Sequence, residues 1–288
     1  MEYVSQTPDD LVINPRNVML GRGRQAIRWW KSGDPVATAF YNSLSAVFPV
    51  GEAFFIDSVR HYRDSVSPVL QPQIDAFIKQ EAVHSREHAY FNKQIREAGY
   101  DTGSIDAEMA EWREQTKKDE PDVNLAITVA IEHWTAIIAH AALASARHFK
   151  HDPLEVARLW KWHAIEEIEH KAVAYDTFMA VTQSLSRFQR WKFRSWAFFL
   201  VSLDFLLERL RFMSRFLAQD GLNKPRSWVR AFVYLLIYPG LLRQVFPAWL
   251  AFFRPNFHPW QQDDRALIAK TEAQLALRTV GQAAGTQP

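Results

Sequence analysis

No cysteine occurs in the sequence, which removes disulfides and thiolate metal ligands together, so any bound metal must rest on nitrogen and oxygen donors. Nor is there a sustained alternation of apolar and polar residues, the period from which half-buried strands are built. Glycine is scarce, at 10 of 288 residues, and with proline it falls mostly between long apolar-periodic segments. Uncharged runs such as Ala231–Leu242 and Ser195–Leu203 fall short of the roughly 18 apolar residues that suggest a spanning helix. The opening MEYVSQTPDDLV lacks the basic-then-apolar order of a signal peptide, so the expected location is cytoplasmic. No stretch joins low hydrophobicity to high charge, which argues against long disordered tracts. These absences leave an all-α chain, and its 48% hydrophobic content can fill a large core.

Helix punctuation is plentiful. Asp34-Pro35, Ser67-Pro68 and Asp152-Pro153 each read as an N-cap followed by proline in the first turn, Pro121 marks another start, and Gly99 can close a helix. Four helices are expected at about 35–63, 68–98, 121–150 and 153–184, each of roughly 28–32 residues or about 42–48 Å. Helices of that length favour a four-helix bundle, with the crossover at 99–120. Further helices are expected at about 187–218, 225–253 (interrupted at Pro239-Gly240 and Pro247) and 261–278, before a frayed end at 281–288. The formal net charge of +2 conceals an asymmetry: residues 187–254 hold 12 Lys/Arg against 3 Asp/Glu, a balance of +9, and the remainder carries −7. The resulting division is an N-terminal extension (1–34), a bundle (35–185) and a basic, aromatic-rich helical appendage packed on it (186–288).

The apolar stripes of the four bundle helices are interrupted by charge. Glu52 lies among Ser45, Phe48, Phe55 and Val59; Glu81, His84 and His88 share a face with Ile74, Phe77, Phe91 and Ile95. Glu132 lies among Leu125, Thr128, Thr135 and Ala139; His163, Glu167 and His170 share a face with Leu159, Trp160 and Val173. A lone buried carboxylate costs several kcal/mol, so four of them on apolar stripes require a common neutralising partner. The order is also regular. Glu81-x-x-His84 recurs as Glu167-x-x-His170, and each follows a single inward glutamate on the preceding helix, Glu52 or Glu132. A glutamate and a histidine three apart stand on one helix face and can grip one ion. Two such pairs plus two single glutamates form the ligand set of ferritin-like di-iron and di-manganese proteins.

His163, four residues before Glu167, is read as a seventh ligand, the alternative being a core histidine bonded to a ligand carboxylate. His88 stands one turn beyond His84 and is read as a ligand, a support for the ligands, or a surface residue. Glu166 competes with Glu167 for the inward position; the repeat registers Glu167 with Glu81, which leaves Glu166 in a supporting place. His133, His140, His148 and His151 read as surface or helix-end histidines. Pro49 and Gly51, just ahead of Glu52, predict a distortion of the first helix that opens a pocket or re-aims Glu52.

The stretches GDPVATAFYNSLSAVFPVGEAFFIDSVR (33–60), QEAVHSREH (80–88), WHAIEEIEHKAVAYD (162–176) and FRPNFHPWQQDD (253–264) resemble a ferritin-like family known as predicted metal-dependent hydrolases. The His163-x-x-x-Glu167-x-x-His170 column is similar to that of seven-ligand di-iron arylamine N-oxygenases. On that resemblance the ligands are Glu52, Glu81, His84, Glu132, His163, Glu167 and His170. A carboxylate-rich set with few histidines suits two iron ions, with manganese next and zinc less favoured. Oxygen-dependent oxidation is the expected chemistry, with O2 and an electron donor as partners. Hydrolysis by metal-activated water is the alternative, and non-catalytic iron oxidation or metal binding a second one. The appendage interleaves 17 aromatics with its basic residues over 187–254. Three roles follow for it: packing on the bundle, a lid or tunnel for an apolar small-molecule substrate, or peripheral contact with the inner face of a membrane. A homodimer is compatible with such a chain; nucleic-acid binding is not expected, because no recognition motif accompanies the charge.

Overall fold

The computed structural model describes residues 3–22 and 25–275, and all regular structure among the described residues is helical. Helix α1 (Pro35–Ser45) starts as its punctuation predicts: the Asp34 carboxylate accepts from the backbone N–H groups of Val36 and Ala37. The single helix expected over 35–63 is in fact two. The chain breaks at residues 46–47 and resumes as α2 (Phe48–Arg60), with Pro49 in its first turn, where a missing N–H costs no helical bond. Pro49 thus starts a helix instead of kinking one.

Helix α3 (Gln71–Glu97) begins three residues later than the Ser67-Pro68 signal suggests. The Ser67 carbonyl closes a turn with the N–H groups of Leu70 and Gln71, and no side chain caps the helix. Gly99, at φ 91°, ends it in the left-handed conformation expected of a C-terminal glycine. The connection expected over 99–120 contains a further helix, α4 (Gly103–Thr116), whose buried residues are only Ile105, Met109 and Thr116. So narrow a stripe explains why its period was not evident. Helix α5 (Pro121–Ala144) stops six residues short of the expected end, because Ser145 turns to extended backbone. It is long and apolar enough to cross a membrane, against the expectation that no helix is, but most of its apolar window is buried inside the fold.

The helix expected over 153–184 also divides, into α6 (Leu154–His170) and α7 (Val173–Val181). Asp152 caps neither; its carboxylate takes the Lys31 Nζ at 2.5 Å and the Ser32 hydroxyl at 2.8 Å. At the break, Lys171 Nζ reaches out of the helix to Asp264 Oδ2 (2.7 Å) and the Gln262 carbonyl (2.8 Å). Helix α2 packs on α3, α3 on α6, α6 on α5 and α5 on α2, closing a ring of four segments whose buried side chains include Phe55, Phe77, Leu125 and Trp162.

Helix α8 (Arg187–Gln219) opens with a capping box between Ser186 and Gln189 and lies along α1 and α5. Helix α9 (Pro225–Phe232) runs into a π-helical turn at Val233–Ile237. Gly240 then turns the chain at φ 75°, where a Cβ would sit 2.8 Å from the Ile237 carbonyl oxygen, so only glycine fits. Helix α10 (Leu241–Ala251) carries Pro247 without interruption, unlike the break expected there. Helix α11 (Arg265–Leu275) starts four residues later than expected, and the remainder of that segment and the frayed end at 281–288 lie outside the described residues. The first 34 residues contribute Trp30 to the core and Arg16, fully buried, to the region behind α6.

Candidate metal centre

Seven ionisable side chains converge inside the ring: Glu52 from α2, Glu81 and His84 from α3, Glu132 from α5, and His163, Glu167 and His170 from α6, all buried. Their ligand atoms form three groups, each within 4.8 Å: Glu52, His84 and His163; Glu81, Glu132 and His170; and Glu81, His84 and Glu167. The first two share no residue, and the third joins them. His170 Nε2 lies closer to Glu81 Oε1 (3.1 Å) and Glu132 Oε2 (3.4 Å) than to Glu167 Oε2 in its own helix (3.7 Å). Each pole therefore takes one residue from α3 and one from α6, with Glu52 of α2 completing the first and Glu132 of α5 the second, and Glu167 stands between them.

Hydrogen bonding tests whether these residues fit a metal. Both oxygens of Glu52, Glu81 and Glu132, together with Glu167 Oε2, His84 Nδ1 and His170 Nε2, are buried and have no hydrogen-bond partner among the described residues. Some lie within ion-pair distance of one another, yet not in hydrogen-bonding alignment. Buried polar atoms are nearly always bonded, and so many orphans around one point fit cations and little else.

Each histidine turns one nitrogen to the centre and is anchored by the other, as metal-binding imidazoles usually are. His84 Nε2 meets Glu166 Oε2 at 3.0 Å, which makes that nitrogen the donor and leaves Nδ1 as the lone pair facing inward. His170 Nδ1 donates to Gln80 Oε1 at 2.9 Å, leaving Nε2 for the centre. His163 is held by a relay. The Ser45 hydroxyl donates to Asn92 Oδ1 (2.7 Å), so it accepts from His88 Nδ1 (2.8 Å). His88 Nε2 in turn accepts from His163 Nδ1 (3.0 Å), and His163 Nε2 is left facing Glu167 Oε1 at 3.0 Å. His88 and Glu166 thus lie behind the seven, each bonded to one of their histidines.

Electrostatics favour the same occupant. Burial pushes the Glu52, Glu81 and Glu132 carboxyls above their usual range, and the charge on Glu167 adds to each shift. Burial also works against Glu167, but His163, His170 and His84 outweigh it and hold that carboxyl below its usual range. Burial takes His163 down to about 4, with His84 adding, so its imidazole is neutral. Three carboxyls whose charged form burial opposes, gathered round a fourth held charged, are an arrangement that bound cations relieve.

Three supporting residues, Arg16, Gln80 and Glu169, were not evident from spacing. Arg16 donates from the N-terminal segment to Glu166 (3.1 Å) and Glu169 (2.6 Å), and its own backbone N–H bonds Glu166. Gln80 spans Glu169 (2.7 Å) and His170. The one available signal was the acidic turn Glu166, Glu167, Glu169, of which only one member can face inward. His133 and His148, read as surface or helix-end residues, are buried, His148 just past the end of α5, because α10 and the segment after it cover them; His133 Nε2 meets the Ala248 carbonyl at 3.2 Å. His140 is partly exposed and pairs with Asp264 at 2.8 Å, and His151 is exposed.

A cavity of about 200 Å³ ends on His163 and Glu167, with apolar walls that include Val47, Phe48, Gly51, Ile131 and Trp160. It runs along the break between α1 and α2. A family model described as "Predicted metal-dependent hydrolase" matches residues 14–263, which takes in Arg16, all seven converging residues and Asp263. The chain belongs to that family. No curated protein and no solved structure matches it. Membership in a metal-dependent hydrolase family and the orphaned buried donors agree on divalent-metal binding.

Proposed function

We propose that this member of the metal-dependent hydrolase family is a two-metal enzyme built on a ferritin-like bundle, acting on a small apolar molecule held in the cavity. The observation that carries the reading is the set of unpartnered carboxylate oxygens and imidazole nitrogens at two joined poles. Glu52, His84 and His163 would hold one ion, Glu81, Glu132 and His170 the other, with Glu167 shared. A bound pair of divalent ions supplies Lewis acidity and activates water. The family description favours hydrolysis as the reaction, ahead of the oxidation expected from ligand type alone. The chain's own residues bind and orient. Glu167 and His163 line the cavity, its apolar walls suit an apolar molecule, and the His88–Ser45–Asn92 relay keeps the proton of His163 on Nδ1.

A second reading, oxygen-dependent oxidation at two iron ions with an external electron donor, is supported by the donor set of four carboxylates and three imidazoles. The similarity of the 163–170 column to di-iron N-oxygenases supports it too. One experiment separates the two. Apoprotein is loaded with Zn(II) or Mn(II) and assayed on apolar esters, then loaded anaerobically with Fe(II) and exposed to oxygen. Ester cleavage that needs the metal, with no oxidised product, supports hydrolysis. A transient absorbance after oxygen, with an oxidised product and no esterase activity, overturns it in favour of oxidation.

A further inference from the structure

Helix α8 is apolar on both faces. Its inner face packs Phe198, Phe212 and Phe216 into the core, yet Trp196, Phe199, Leu203, Leu207 and Leu210 form a second stripe that is exposed, Trp196 at 61%. A surface helix normally turns charge outward. The stripe continues onto the next two elements. Val229, Phe232, Ile237, Tyr238 and Phe246 are exposed around the turn between α9 and α10. Those two helices together are apolar enough to span a membrane but are bent by 52°. Leu235, Leu241 and Val245 are buried against the protein, so the pair is anchored on one side and bare on the other.

We propose that this face docks on an anionic lipid surface, with the turn after α9 inserting among the headgroups. Charge selects the occupant. Lys192, Lys224, Arg226 and Arg243 are exposed along the face and make no ion pair among the described residues, while two of the three acids in 187–254, Glu208 and Asp220, are already paired. Exposed tryptophan, phenylalanine and tyrosine beside free lysine and arginine suit the boundary of an anionic bilayer. A second copy of the chain would set one +9 region against another, and so fits this face poorly. Docking also places the cavity close to lipid, because Val201, Phe205 and the exposed Asp204 of α8 form part of its wall. That consequence rests on the metal-centre reading; the docking itself does not.

The test is co-sedimentation of the full-length protein with phosphatidylcholine vesicles, with and without added phosphatidylglycerol. Binding should require phosphatidylglycerol and fall with added salt. Phe232→Ser with Ile237→Ser should weaken it at least about tenfold, and Lys224→Glu with Arg226→Glu about tenfold or more, with helical circular dichroism unchanged in both. Metal-free protein should bind equally well, so a failed metal centre would leave the result intact. No binding to anionic vesicles overturns the proposal. So does self-association in sedimentation velocity that the Phe232→Ser, Ile237→Ser variant abolishes, since a second copy would then be the occupant.

Discussion

In the turn Glu166-Glu167-Ile168-Glu169-His170, three carboxylates take three different tasks according to the angle at which the helix presents them. Glu167 faces the centre, Glu166 holds His84, and Glu169 meets Arg16 and Gln80. Replacing Glu132 by Ala should remove one or both ions without unfolding the chain, as read by elemental analysis beside circular dichroism. Gln80→Leu leaves every inward donor in place but frees the His170 ring, so metal affinity should fall roughly 10–100-fold in a competition titration. Arg16→Met strands Glu166 and Glu169 without their cation and should cost about 3–5 kcal/mol in chemical denaturation. The seven converging positions were legible because each breaks an apolar stripe with a charge. Arg16 was not, since it comes from an irregular segment 150 residues away, where no period marks a buried side chain.

At the scale of elements, most helices were readable from periodicity and caps, α4 excepted; the interruption at Pro239-Gly240 and a distortion near Pro49 were readable too, while the break at 171–172 was not. The interruptions at residues 46–47 and 171–172 have tertiary partners: the cavity runs along the first, and Lys171 bonds the C-terminal segment at the second. Gly51, a glycine within α2, gives a test. A Cβ there would meet only Phe55 Cζ at 3.8 Å, so Gly51→Ala should stabilise the protein by up to about 1 kcal/mol. Gly51→Leu should instead fill the cavity, abolishing turnover of any apolar substrate while leaving metal content unchanged. Burial of His148 under the C-terminal helices gives a pH signature. Burial, with Lys31 adding, lowers its pKa to about 4. Between pH 6.5 and 4 the unfolded chain binds a proton that the folded chain does not. The stability contribution is therefore full above pH 6.5 and is lost as the pH falls towards 4, by at most about 3 kcal/mol. Urea midpoints at pH 7 and pH 5 should differ more for the native chain than for His148→Gln.

The whole molecule is a closed ring of helices round an ionisable centre whose buried donors lack hydrogen-bond partners, wrapped on one side by the N-terminal segment and on another by α8 to α10. Composition indicated the second of these as a basic, aromatic appendage but not its geometry, because α8 pairs an inward apolar face with an outward one and a single helical period cannot describe both. Family membership and the orphaned donors agree on divalent-metal binding, so removing metal should lower thermal stability as well as activity. The most direct measurement is metal stoichiometry on apoprotein titrated with Fe(II), Mn(II) or Zn(II), read by elemental analysis after desalting. The arrangement of two joined poles predicts about two ions per chain in the native protein and fewer in Glu132→Ala. A native chain that retains no metal, or a Glu132→Ala variant with undiminished content, would contradict it.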